Sequence, residues 1–236
     1  RPLTELINAL KKIDTGKVTI KGNISSQFIS SLLMIAPVLQ KGLEIRIVGT
    51  LVSKSYIDIT IDLMNKFGIR IINQNNKLFI IKKNQKYKPV VYQVEGDASG
   101  ASYFWAIAAI TGRKIKINNI NPVSLQGDIK FVDILKKMGC KITKSIKKSW
   151  IMVQGSKNLQ GIQVSMKLMP DTAQTLSVTA AFAKGKTLIT GLSTLRVKET
   201  NRLLALKNEL KKMEIKNVIT HDSIEIEGGK PKTAII

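Results

Sequence analysis

Four polar clusters in this chain stand where a helix would begin, and each carries groups that bind or move charge. Ser25, Ser26 and Gln27 offer two hydroxyls and an amide with no competing carboxylate. Free N–H groups and the helix dipole make such a terminus a natural anion site, so a phosphate cradle is one reading. Ordinary N-capping by serine is the other, and the spacing leaves both open. Ser53-Lys54-Ser55-Tyr56 opens the next helical run and either adds donors or forms a plain loop. Asp171 opens a third helix; as an N-cap it would be a weak base with a depressed pKa. Ahead of the last helix stands Arg196-Val197-Lys198-Glu199-Thr200-Asn201-Arg202. Lys198 and Arg202 are four apart, so on a helix they repel unless an anion lies between them. Either Glu199 supplies that anion in a solvated ion pair, or a bound phosphate or carboxylate does.

Other common chemistries lack their residues. The only histidine, His221, falls in a hairpin turn, which excludes a Ser-His-Asp relay and a histidine metal cluster. Cys140, the only cysteine, follows Gly139 in an apolar slot and reads as structural. A single cysteine excludes a disulfide framework and fits a reducing compartment. No P-loop or dinucleotide fingerprint occurs. Neither a metal nor a cofactor is expected.

The 236 residues carry 38 Lys plus Arg against 16 Asp plus Glu, a net charge of +22, which raises nucleic-acid binding as a reading. Two features lower it. Most of the cations are lysine, spread through every segment, and lysine, isoleucine and asparagine are abundant together, as in a drift toward AT-rich codons. Aromatics, at 5%, are too sparse for a base-stacking platform. Nucleic acid is therefore not the expected partner. An apolar content of 44% is that of a globular protein. The longest apolar stretch, Phe28 to Leu39, contains Ser30, Ser31 and Pro37 and is too short to cross a bilayer. With no charged-then-apolar leader, the chain reads as cytoplasmic and without a membrane partner.

A repeat must position these clusters. Helical segments open at Gly22, Gly96 and Pro170, a spacing of 74 residues and again 74, which signals repeated supersecondary units. Each of these helices is apolar on nearly all sides and is expected to be buried all round. An amphipathic helix follows in each unit, with stripes Ile57/Ile61/Met64/Phe67, Ile129/Val132/Leu135/Met138 and Leu203/Leu206/Leu210/Met213. Gly68 and Gly139 stand where a C-cap favours glycine, and Glu214 breaks that pattern in the third unit. Hairpin-like runs come next: Ile69–Ile72 with Lys77–Ile81, Lys141–Thr143 with Trp150–Val153, and Val218–Thr220 with Ile224–Ile226. With short strands before and between the helices, the unit predicted is β-α-β-α-β-β, three times over. The start of the chain departs from it. Leu6 to Ile13 reads as the end of a preceding helix, and the stretch from Ile13 to Gly22 is about 20 residues short of a hairpin. A hairpin is expected to be missing near Ile13–Asp14, either deleted or left out with a break in the chain there, and the parent chain to be longer than this one.

The strings GNISSQF, LVSKSYIDIT, EGDASGASYF, LQGDIKF, MPDTAQT and RVKETNRL occur in one order across residues 22–203. Together they resemble the 5-enolpyruvylshikimate-3-phosphate synthase family, the 3-phosphoshikimate 1-carboxyvinyltransferases. The resemblance implies an α/β fold of two domains, an inside-out α/β barrel with three β-α-β-α-β-β units in each domain. It implies a crossover near Gln93–Glu95, so that residues 1–93 are part of a first substrate-binding domain and 94–236 most of a second. The implied reaction moves the enolpyruvyl group of phosphoenolpyruvate to the 5-hydroxyl of shikimate 3-phosphate and releases phosphate. By motif, Ser25, Ser26 and Ser53 would hold the shikimate phosphate, Lys198 would support the same substrate, Gln27 would lie between both substrates, and Tyr56 would border the shikimate ring. Asp171 would take the hydroxyl proton, Glu199 would assist proton transfer at the methylene carbon, and Arg202 would bind phosphoenolpyruvate. Thr194 stands where many members carry a substrate-binding asparagine. The family's N-terminal Lys-Ser and arginine motifs, the arginine of its early Gly-rich loop, and a late arginine and lysine have no counterpart here. The chain is therefore expected to be an internal fragment, inactive alone, and the enzyme a monomer. The alternatives are a UDP-sugar enolpyruvyl transferase, whose signature strings differ, and a basic nucleic-acid-binding protein.

Overall fold

Strand β1 (Lys17–Lys21) alternates exposed and buried residues, so Val18 and Ile20 face one side. It pairs in parallel with β2 (Leu43–Val48), Val18 opposite Ile45 and Ile20 opposite Ile47. Helix α2 (Ser26–Ile35) makes the crossover between them, and α3 (Lys54–Lys66) leads to the hairpin β3 (Ile71–Gln74) and β4 (Leu78–Ile81). The sheet order is β1-β2-β4-β3. Ile29, Leu32 and Leu33 of α2 and Ile57 and Met64 of α3 are buried in one core with Ile45 and Phe79. Each such apolar side chain contributes roughly 1.5–3 kcal/mol when fully buried. This is the first unit, Arg1–Gln93, of a computed structural model that describes residues 3–235. Helix α1 (Thr4–Leu10) precedes β1.

The second unit, Val94–Ile236, holds two repeats in one core. The earlier repeat runs α4 (Ala98–Thr111), β5 (Lys114–Asn118), α5 (Phe131–Lys137), β6 (Lys141–Ser145) and β7 (Trp150–Gln154). The later runs β8 (Gln163–Ser165), α6 (Ala173–Ala181), β9 (Lys186–Thr190), α7 (Arg202–Lys212), β10 (Asn217–Ile219) and β11 (Ser223–Glu227). Its sheet order is β10-β11-β9-β8, with β8 and β9 parallel, whereas the earlier repeat has a three-stranded sheet, β5-β7-β6. Helices α4 and α6 pack together, with the hydroxyls of Ser102 and Thr175 3.1 Å apart.

The predicted unit is complete in the first and last repeats and lacks its opening strand in the middle one. Residues 82–97 form no strand. Pro89 has no N–H to give to a ladder, and the segment is pinned elsewhere. The Tyr87 hydroxyl donates to Met34 O at 2.7 Å, Lys88 N–H donates to Phe67 O at 2.9 Å, and the Tyr92 ring lies 6.2 Å from Phe67. At Ile13–Asp14 the chain runs on with no hairpin between α1 and β1, as a deletion there implies. A 3-10 turn, Ile13–Thr15, joins α1 to β1 and is closed by Gly16 N–H on Ile13 O at 3.0 Å.

The C-caps follow the glycines. Gly68 and Gly139 adopt φ of +86° and +106°, the left-handed conformation that costs glycine nothing. Glu214 takes the same conformation at φ +57°, so the third repeat keeps the cap without the glycine.

The all-round burial of the apolar helices is not observed. Met34 and Ile35 on α2, Tyr103, Phe104 and Ile107 on α4, and Val178 on α6 are exposed. Sheet and neighbouring helices cover one side of each helix, and the opposite side meets no element of its own unit. No helix among the described residues is long and apolar enough to cross a membrane.

Candidate functional site

Two parallel strand pairs decide where the polar clusters meet. In β1 and β2 the register Lys21 to Val48 sets both C-terminal ends side by side, so the loops that follow leave from one edge. Ligands in α/β folds collect at such carboxyl ends. Gly22 N–H donates to Val48 O at 2.9 Å, and Val52 N–H donates to Gly22 O at 3.1 Å. A side chain at Gly22 would bring a Cβ within 2.7 Å of Ile47 Cγ2 and 3.1 Å of Leu51 Cα, so the close approach requires glycine. The start of α2 and the loop before α3 thus stand together in the first unit. Ser25 is the N-cap of α2 and accepts Gln27 N–H at 3.3 Å. Ser25, Ser26 and Ser53 are all buried. Ser53 sits before α3 with φ +53° and no side-chain capping bond, and its carbonyl accepts Tyr56 N–H at 3.2 Å.

The same logic holds for β8 and β9, where Ser165 lies opposite Thr190. Asp171 leaves β8 on a 3-10 turn, Pro170–Thr172, one residue short of the α6 N-cap, Thr172. It is therefore not the capping residue that its position suggests. Its Oδ1 accepts Lys198 Nζ at 2.9 Å and Arg202 Nη1 at 3.3 Å. Lys198 is extended (φ −77°, ψ −157°) and lies outside α7, because Asn201 caps the helix by accepting Leu204 N–H. The helical Lys198–Arg202 spacing is thus not formed; both cations reach one carboxylate 27 and 31 residues away. Glu199 takes Arg202 Nε on Oε1 at 2.5 Å and Nη2 on Oε2 at 2.8 Å. Gln174, the second residue of α6, accepts Arg202 Nη1 at 3.5 Å. Exposure grades outward: the Lys198 side chain is 8% exposed, Arg202 21%, Asp171 29% and Glu199 62%.

The EPSP synthase family model, described as 3-phosphoshikimate 1-carboxyvinyltransferase, matches residues 2–236. The chain belongs to the EPSP synthase family. Over 199 residues it is 50% identical to the 3-phosphoshikimate 1-carboxyvinyltransferase of Marinomonas sp. (strain MWYL1), covering 84% of this chain and 46% of that protein. The namesake from Buchnera aphidicola subsp. Baizongia pistaciae is 47% identical over 212 residues, 89% of this chain and 49% of that one. The EPSP synthase of Acinetobacter baumannii superimposes with a TM-score of 0.72 at 26% identity, over 91% of this chain and 49% of that one. The α/β fold is therefore that of the enolpyruvyl transferases. The chain spans about half the length of the curated relatives it matches.

Other residues of this EPSP synthase family chain stand apart from the cluster. Thr194 lies in the 3-10 segment Ser193–Val197 with its hydroxyl buried and unpartnered, so it makes no bond to Asp171, Lys198 or Arg202. In the middle repeat the corresponding helix start is filled by the protein itself. Gln126 accepts Ala98 N–H at 2.8 Å and donates to Gly96 O at 2.9 Å, Asp97 caps Ser99, and Asp128 accepts the Ser99 hydroxyl. Only the repeat period could have pointed to this network: a 74-residue shift carries the Thr50–Ser53 loop onto Ser124–Gly127, and that stretch onto Lys198–Asn201. Burial raises the pKa of the Cys140 thiol, consistent with a structural role. No cluster of three His, Cys, Asp or Glu that could hold a metal occurs among the described residues.

The Arg202 hydrogen bonds hold the Glu199 carboxyl down to about 2, and Glu199 in turn raises the guanidinium. A depressed carboxyl contributes to stability above its ordinary value near 4.5, and that contribution is lost as pH falls through about 2. A carbon-13 carboxyl titration of the chain is expected to show the Glu199 midpoint near 2. Arg202→Met should return it toward the ordinary value. An unshifted midpoint in the unsubstituted chain would show that the pair does not form in solution. The four bonds to Glu199, Asp171 and Gln174 leave one of the five N–H donors of Arg202 uncommitted. A phosphate or carboxylate bound bidentately on the Nε–Nη2 edge of Arg202 would have to displace Glu199.

Proposed function

We propose that this chain is part of a 3-phosphoshikimate 1-carboxyvinyltransferase, which transfers enolpyruvyl from phosphoenolpyruvate to the 5-hydroxyl of shikimate 3-phosphate and releases phosphate. The observation that carries this reading is the meeting of Asp171, Lys198 and Arg202 at the ends of β8 and β9, in a chain matched by the family over residues 2–236. Ser25, Ser26 and Ser53, supplied by residues 1–93, hold the shikimate phosphate, with Gln27 between the substrates and Tyr56 beside the ring. Residues 94–236 supply the groups that move protons. Asp171, held by Lys198 and Arg202, takes the 5-hydroxyl proton as the oxygen bonds to C2 of phosphoenolpyruvate. Its contribution comes from placement more than from basicity. Arg202 binds the phosphoenolpyruvate anion and lets Glu199 go. Glu199 then passes a solvent proton to the methylene carbon, and the tetrahedral adduct breaks its C2–O bond to phosphate as the new methyl group gives one proton back to Glu199. The working enzyme is a cytoplasmic monomer acting on two small anions without a cofactor, metal, nucleic acid or membrane.

Phosphate release tests the reading. The 236-residue chain given both substrates is expected to release none above background, because the family's further basic groups are supplied by other residues, and losing even one such donor costs about 100–1000-fold. The complete enzyme should release phosphate with shikimate 3-phosphate and not with a UDP-sugar acceptor. The reverse preference would overturn the assignment in favour of the UDP-sugar transferase.

A further inference from the structure

The loop that carries Lys198 and Glu199 is fastened to a part of the fold that touches no proposed substrate group, the turn between β10 and β11. Asp222 in that turn accepts Ser193 N–H on Oδ1 at 2.8 Å and Gly191 N–H on Oδ2 at 3.1 Å, and its backbone carbonyl accepts Leu192 N–H at 3.0 Å. Arg196 closes the other end. Its Nε donates to His221 O at 2.9 Å and its Nη2 to Thr220 O at 2.6 Å. Three consecutive loop amides and one guanidinium therefore end on a single turn. Apart from the Ser193 side chain on Asp222, the two ionised side chains spend their hydrogen bonds on backbone groups. Bonds of this kind, with one partner charged, are among the stronger ones a protein makes.

We infer that Arg196 and Asp222 are positioning residues, which lock the loop onto the hairpin turn so that Lys198 emerges extended and reaches Asp171. A lysine head group has four rotatable bonds behind it and finds a fixed partner only if its own Cα is fixed. Lys198 is two residues beyond Arg196, too near for a loosened anchor to leave it in place, and a misplacement of about 1 Å is enough to cost a reaction heavily. This is also why the motif holds two arginines with different duties: Arg202 faces carboxylates, and Arg196 faces main-chain carbonyls. That the placement serves a reaction rests on the transferase reading; that it fixes Lys198 does not.

The test needs no substrate. Nitrogen-15 NMR of the 236-residue chain follows the Lys198 ammonium, which its bond to Asp171 shelters from exchange with water, and the amides of Gly191 and Ser193. Arg196→Met is expected to erase the Lys198 signal and to speed exchange at those amides by about 10-fold or more, as for the loss of one charge-assisted hydrogen bond. Arg196→Lys keeps a donor for one of the two carbonyls and should restore the signal in part. Val153→Ala, a cavity in the other sheet of the same unit, lowers stability but should leave the Lys198 signal where it was. If Arg196→Met does not fold, Asp222→Asn decides the same question, since its amide leaves Gly191 N–H without an acceptor. A Lys198 signal unchanged in whichever of the two variants folds, or lost equally in Val153→Ala, overturns the inference. Failure of the phosphate-release assay bears on the transferase reading and leaves this result standing.

Discussion

Asp171→Asn in the complete enzyme is expected to lower turnover by about 100-fold or more while leaving the affinity for shikimate 3-phosphate near its original value. Asparagine is nearly isosteric, and its carbonyl oxygen can still accept the Lys198 and Arg202 bonds now made by Oδ1. What it cannot do is hold a transferred proton. Ser26→Ala supplies the contrast. A hydroxyl facing a phosphate that does not react is used equally in the ground and transition states, so its loss, about 1.5–3 kcal/mol, should appear in affinity. Measuring both constants for both variants separates the roles. Weak binding with normal turnover in Asp171→Asn would make Asp171 a group that only places the substrate.

Trp105→Ala should remove about 3–5 kcal/mol of the second unit's stability, because it empties the largest fully buried side chain of the α4 core. Ala98, Ala101, Ala108 and Ala109 leave room for the ring on that helix and are too small to refill the space. The indole Nε1 is buried without a hydrogen-bond partner, so Trp105→Phe removes an unmet donor along with some packing and should cost less than half as much. Urea unfolding followed by the remaining tryptophan, Trp150 in the same unit, measures both. A loss below about 1 kcal/mol for the alanine variant would mean that the core around α4 is not packed as described.

Local rules reached far in this chain. The stripes Ile57/Met64, Ile129/Val132/Leu135 and Leu203/Leu206/Leu210 are buried as their spacing implies. The two glycines cap as their position implies, because a left-handed residue is a property of the backbone at one site. The rules failed where the deciding contact lies elsewhere in the chain. The four-residue spacing of Lys198 and Arg202 loses its helical meaning once Asn201 is seen to start α7. Asp171 reads as a cap until two cations from beyond β9 are found on its carboxylate. The opening strand of the middle repeat was expected from the period alone, and Tyr87 and Lys88 hold that segment against α2 and α3 instead. The Asp222 anchor had no local signal, since its partners lie about 30 residues back and are main-chain amides. The motif strings, by contrast, identified the family from side chains whose spatial partners the sequence leaves unspecified.

The uncovered apolar sides of α2, α4 and α6 set this chain's colloidal behaviour against its charge. Patches such as Tyr103, Phe104 and Ile107 attract one copy to another, while +22 charges keep copies apart. The second effect reaches only as far as ions allow, about 10 Å at 0.1 M salt and about 3 Å at 1 M. The first grows as salt rises. Dilute buffer is thus the medium that keeps these 236 residues dispersed, and concentrated salt the one that gathers them into clusters.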